Sequence, residues 1–114
     1  MAVSSRYSML FRIVFWALCL SIFVAALLPN DIAQPVFPHS DKALHAVVFG
    51  CLTFVGCAAY SPRFLTITLF LVFLGGAIEV AQGFAPGRAQ EVADFIADLI
   101  GIVLGLVIRR AVFR

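Results

Sequence analysis

The sequence predicts an all-α membrane protein, a bundle of four transmembrane helices, and three observations carry that expectation. The 114-residue chain is 63% hydrophobic and 12% charged, with a mean hydropathy of +1.08, whereas soluble domains carry about 25% charged residues. Its eight Lys and Arg and six Asp and Glu are too few to coat a soluble exterior. Apolar runs of about 20 residues, the helix length that crosses roughly 30 Å of hydrocarbon, recur between turn signals. The net charge of +2 is scattered along the chain, which excludes a nucleic-acid partner, because a phosphate-binding surface needs clustered Lys and Arg. One domain over residues 1–114, set in a lipid bilayer, is the expected organisation.

The first span, 9–28, is closed by Pro29, Asn30 and Asp31, and Arg12 lies near enough to its start to reach the headgroups. Val24, Ala25 and Ala26 resemble a signal-peptide cleavage site, but the apolar run continues through Leu27 and Leu28. The second span, 42–60, begins after the capping pair Ser40 and Asp41 and stops at Ser61 and Pro62. The third, 64–84, ends at Ala85, Pro86 and Gly87. The fourth, 91–108, is short, carries Asp94 and Asp98, and is halted by Arg109 and Arg110. Cys19, Cys51 and Cys57 sit inside these runs without metal-ligand spacing and read as small hydrophobes.

Tight loops at 61–63 and 85–90 make neighbouring spans antiparallel and give two helical hairpins. Arg6, Arg12, Arg63, Arg109, Arg110 and Arg114 then collect on one side and only Lys42 and Arg88 on the other. The positive-inside rule puts the arginine side, and both termini, in the cytoplasm. The six acidic residues, Asp31, Asp41, Glu79, Glu91, Asp94 and Asp98, fall on or near the outer side.

Positions three and four apart share a helix face. Asp94, Asp98, Gly101 and Gly105 form one such stripe, while Phe95, Ile96, Leu99 and Ile100 take other faces. Gly75, Gly76, Glu79, Gln82 and Gly83 lie together on the third span, and Asp41 or Lys42 leads to His45, Phe49, Leu52 and Gly56 on the second. Acidic and small residues on one stripe belong against other helices, with Gly101-x-x-x-Gly105 allowing close approach. Asp98 is seven residues past Glu91, about 10 Å deeper along a helix. A carboxylate at that depth costs roughly 2.5–3.5 kcal/mol. Two carboxylates about 6 Å apart repel by a further ~3 kcal/mol at an effective dielectric near 20. Either one of the pair holds a proton, or His45, Lys42, Arg88 or a bound cation neutralises them.

A purely structural clamp explains the cluster poorly, since an interhelical hydrogen bond contributes about 0.6 kcal/mol on average. Some single residues have plainer roles. Glu91 suits the dipole of a first helical turn, Asp31 is a solvated loop charge, and Phe49, Phe54, Phe70 and Phe73 are packing and lipid-contact residues.

The stretches at 40–54 and 75–105 together resemble the VanZ-like family of small bacterial membrane proteins. The matching positions are Asp41, Lys42, His45, Glu79, Gln82, Arg88, Asp94, Gly101 and Gly105. Asp98 stands where that family's pattern carries an asparagine, which adds a titratable group. The family is named from a protein associated with teicoplanin resistance in glycopeptide-resistant bacteria. The resemblance therefore implies a cell-envelope role in the bacterial inner membrane.

The residues themselves suggest an outward-facing polar pocket that binds or modifies an amphiphilic envelope molecule, such as a lipid-linked precursor. Lys42 and Arg88 are placed to attract a phosphate or carboxylate at the mouth. His45 is the candidate acid or base, with Glu79 and Asp94 orienting it or balancing its charge, and Asp41, Gln82 and Asp98 complete the binding set. No hydrolase nucleophile motif is evident, so whether the protein is an enzyme stays open. One alternative is a non-catalytic module binding glycopeptides or their targets, or assembling helices. Another is a divalent-metal site of His45, Glu79, Asp94 and Asp98. A transport pathway is disfavoured, because polar residues do not continue through the inner half. The sequence names no cofactor and no oligomeric state.

Overall fold

The computed structural model describes residues 5–28, 40–84 and 92–112. Among these, four α-helices follow in order: α1 (Ser5–Ala26), α2 (Ser40–Ala59), α3 (Phe64–Gln82) and α4 (Val92–Val112), with a 3₁₀ turn at Ser61–Arg63 between α2 and α3. The bundle is 43 Å long and 23 Å across, matching the roughly 40–45 Å of a bilayer with its headgroups. Arg6–Ala26, Lys42–Ala59 and Ser61–Gln82 are long and apolar enough to cross a membrane. α4 has the length, at 21 residues, but carries Asp94, Asp98, Arg109 and Arg110.

The expected spans find the right helices and misplace their ends. α1 begins at Ser5, four residues before the apolar window, because its polar start has partners: Ser8 Oγ and Arg12 Nε donate to the Ala59 carbonyl at 3.2 and 3.3 Å. It finishes at Ala26 in a tightened turn, where the Leu27 and Leu28 amides donate to the carbonyls of Val24 and Ala25. α4 passes through Arg109 and Arg110 to Val112. Those cations end the apolar window without ending the helix, since basic groups suit the last turn. The Arg109 guanidinium reaches the Ser61 carbonyl and hydroxyl, both at 3.4 Å, and lies over the Phe64 ring.

Helix directions follow from residues in contact. Arg12 meets Tyr60 and Phe15 meets Gly56, so α1 and α2 are antiparallel. Gly75 meets Asp98 while Phe64 meets Arg109, so α3 and α4 are antiparallel. The most extensive packing, however, joins α2 to α4, helices not adjacent in sequence. They run parallel, with Lys42 beside Asp94, His45 beside Asp98, Ala46 beside Gly101 and Gly50 beside Gly105.

Glycine permits that approach. A Cβ on Gly101 would collide with the Ala46 carbonyl, and one on Gly105 would stand 2.6 Å from the Gly50 carbonyl oxygen and 2.8 Å from Thr53 Cβ. Backbones this close exclude lipid and bring the polar side chains of the two helices together. Below the polar end, Phe15, Phe49, Leu52, Leu71 and Ile78 fill the core, while Leu65, Leu69, Phe73 and Val103 point outward as lipid-facing residues do. Phe49 and Phe73 thus take the packing and lipid-contact roles expected of them. Cys19, Cys51 and Cys57 are free thiols, the first and last buried.

Gly101→Ala is expected to destabilise the folded bundle by about 2–3 kcal/mol, the cost of forcing a methyl group into a packed contact whose partner is backbone. Reversible unfolding in mixed micelles measures it, with Leu104→Ala on the exposed face as the comparison.

Candidate functional site

Three helices contribute to one polar cluster near the end of the bundle where α2 and α4 begin. On α2, Lys42 and His45 are three residues apart and share a face; on α4, Asp94 and Asp98 are four apart and share another. Because α2 and α4 are parallel and in close register, those faces oppose each other pair by pair. Lys42 Nζ lies 3.4 Å from Asp94 Oδ1. His45 Nδ1 lies 2.7 Å from Asp98 Oδ1, and its Nε2 lies 3.9 Å from Asp94 Oδ2. The imidazole thus stands between two carboxylates one turn apart.

α3 supplies Glu79 and Gln82, both buried. One donor atom from each of His45, Glu79 and Asp98 lies within 4.8 Å of the other two. Gly75, one turn before Glu79, gives Asp98 its room, for a Cβ there would stand 3.0 Å from Asp98 Oδ2. That oxygen is buried and has no hydrogen-bond partner, whereas the equally buried Asp94 Oδ1 faces the Lys42 ammonium.

Along each helix exposure falls from one turn to the next, from Lys42 to His45 on α2 and from Asp94 to Asp98 on α4. The Lys42 side chain is 29% exposed, His45 16%, Asp94 7% and Asp98 0%. A charged group at the surface therefore leads to a fully enclosed one through a chain of ionic contacts. Within hydrocarbon such groups hold together strongly, because the alternative for each is an unsolvated charge.

The α4 stripe is buried throughout, at Asp94, Asp98, Gly101 and Gly105, while Ile96 and Ile100 are exposed. On α3, Gly75, Glu79 and Gln82 face inward, but Gly83, the C-terminal cap, is exposed. Arg88, Glu91 and Asp31 lie outside the described residues, as does the side chain of Asp41. The expected meeting of Arg88 with the cluster is therefore not part of the described site. Sequence reasoning did not single out Thr53, a fully buried polar residue below the cluster. Its hydroxyl donates to the Phe49 carbonyl at 2.7 Å and it packs on Gly105. Its place one turn after Phe49 on the inward face of α2 was the available signal.

The profile of a protein family described as VanZ/LLP1 matches residues 8–113, nearly the whole chain and all the polar residues just described. The chain belongs to the VanZ/LLP1 family. No curated protein and no solved structure matches it. Membership in the VanZ/LLP1 family accords with a helical membrane protein and covers α1 to α4 as one match, whereas the resemblance seen in sequence rested on 40–54 and 75–105.

Two neighbouring glycines test the packing around Asp98. A Cβ at Gly76 would meet only Phe95 Cε1 at an ordinary 3.8 Å, against 3.0 Å to Asp98 Oδ2 at Gly75. Gly76→Ala is expected to be neutral or to stabilise by up to about 1 kcal/mol through helix propensity. Gly75→Ala is expected to lose about 1–2 kcal/mol as Asp98 is displaced. Unfolding midpoints of the two variants, measured side by side, check the difference.

Proposed function

We propose that the cluster is an outward-facing pocket of a bacterial inner-membrane protein, acting as one domain, that binds the anionic headgroup of an amphiphilic cell-envelope molecule. A lipid-linked precursor bearing phosphate is the favoured class. The observation that supports the reading most is the ionic chain from partly exposed Lys42 to enclosed Asp98. A phosphate arriving at the bilayer surface meets the Lys42 ammonium first and competes with Asp94 for it. Asp94, so released, is left beside His45, whose ring is the group there able to give or take a proton near neutral pH. In this reading Lys42, Gln82 and Arg88 bind, Asp41 and Asp98 complete the binding set, and His45, Glu79 and Asp94 carry any chemistry.

The orientation belongs to the same proposal. Arg12 and Arg109 sit at the opposite end of the bundle from the cluster, with Tyr60 and Trp16 beside them. Trp and Tyr mark a membrane interface on either side, while Lys and Arg collect at the cytoplasmic one, which supports a polar site that faces out and termini that face in. Reporter fusions at either terminus are expected to read cytoplasmic, and a periplasmic or extracellular reading at either would reverse the pocket.

Binding is tested by native mass spectrometry of the full chain in phosphatidylcholine nanodiscs with a polyprenyl diphosphate added. Wild type is expected to retain the lipid, and Lys42→Gln to weaken it at least tenfold, about 1.4 kcal/mol. Equal retention by both proteins, or none by wild type, contradicts the reading. A changed lipid mass that disappears in His45→Gln makes the protein an enzyme, whereas an unchanged mass leaves it a binding protein. Retention of teicoplanin in place of the lipid favours the glycopeptide-binding alternative.

A further inference from the structure

We propose that His45, Glu79 and Asp98 hold a divalent transition-metal ion, zinc or manganese, at the floor of the polar site. The donors come from three helices and converge: one atom from each lies within 4.8 Å of the others. Ligands on an ion with bonds of about 2.0–2.2 Å stand roughly 3.0–4.4 Å apart, so small side-chain shifts, with the 2.7 Å contact of His45 and Asp98 opening to admit the ion, bring the three into range.

The second observation is the orphan oxygen of Asp98. Oδ1 is engaged by His45 Nδ1, but Oδ2 is fully buried, without a hydrogen-bond partner among the described residues, and directed at the α3 face that carries Gly75 and, one turn on, Glu79. A lone pair enclosed in a hydrocarbon-embedded bundle calls for a proton or a cation. Gly75 leaves the space a methyl group would otherwise take.

Donor chemistry points the same way. The three donors are two carboxylates and one imidazole. An imidazole with carboxylates suits zinc or manganese, whereas calcium prefers oxygen alone. Three protein donors leave a coordination position for water or for an oxygen of a bound molecule. The ion site stands on this cluster alone and does not depend on which molecule enters the mouth.

The test uses tag-free full-length protein in detergent, stripped with chelator and then equilibrated with zinc or manganese ions. Elemental analysis after gel filtration is expected to give about one equivalent per chain of one of the two ions, with a raised melting temperature. Asp98→Asn and Glu79→Gln are each expected to lower affinity at least tenfold. Lys42→Gln, which empties the mouth and spares the floor, is expected to keep the ion even if it no longer holds lipid. Less than a tenth of an equivalent of either ion on folded wild type overturns the proposal, as does full binding by folded Asp98→Asn. Should a variant fail to fold, the wild-type stoichiometry and the metal-dependent melting shift still decide the question.

Discussion

A carboxylate cannot sit alone in an apolar interior, and Asp98 is fully enclosed in that of the bundle. That constraint organises the rest of the fold. Its closest partner, His45 at 2.7 Å, stands on a different helix, so α2 and α4 must pack against each other along their first turns. They can do so only because Gly101 and Gly105 bring their backbones into contact. Burying a charge and shaving a helix face are thus two halves of one arrangement. Removing the glycines parts the helices, and removing the partner leaves the charge stranded.

The two ends of the bundle divide the work. At one end Lys42, His45, Glu79, Asp94 and Asp98 form a connected polar set that α3 closes from the side. At the other, Arg12 stacks on Tyr60, Trp16 donates to the Tyr60 hydroxyl, and Arg109 ties α4 to the turn after α2. Between them Phe15, Leu52, Leu71 and Ile78 form an apolar plug with no ionisable side chain among them. Such a plug separates the polar end from the far surface. Burial of ionisable groups contributes little stability for the space it takes, as replacement of buried ion pairs by apolar residues shows in other systems.

Much of this was legible in the chain. Helical periodicity placed Asp94, Asp98, Gly101 and Gly105 on one stripe, and that stripe is buried. The same spacing placed Glu79 and Gln82 inward, and it failed at Gly83, the cap just past the end of α3, where Gly83 and Phe84 are both exposed. The ends of α1 and α4 were missed for a related reason: hydropathy registers where hydrocarbon begins, while a helix persists as long as its polar ends find partners, as Ser8 and Arg109 do. Short loops implied sequential hairpins, yet the dominant contact joins α2 to α4 across α3. No local pattern states which helix a buried aspartate will choose. Loop length constrains neighbours in sequence, whereas the pairing of His45 with Asp98 is set by shape and charge in three dimensions.

The meeting of α2 and α4 through His45 and Asp98 is tested most directly by a double-mutant cycle. His45→Ala, Asp98→Ala and the double variant are unfolded reversibly in mixed micelles beside the wild type. Residues in direct ionic contact inside a bundle couple, and the expected interaction energy is at least about 1.5 kcal/mol, with the double variant more stable than the sum of single losses predicts. Losses that add to within about 0.5 kcal/mol would mean the two side chains do not touch, and the site assembled around them would not exist.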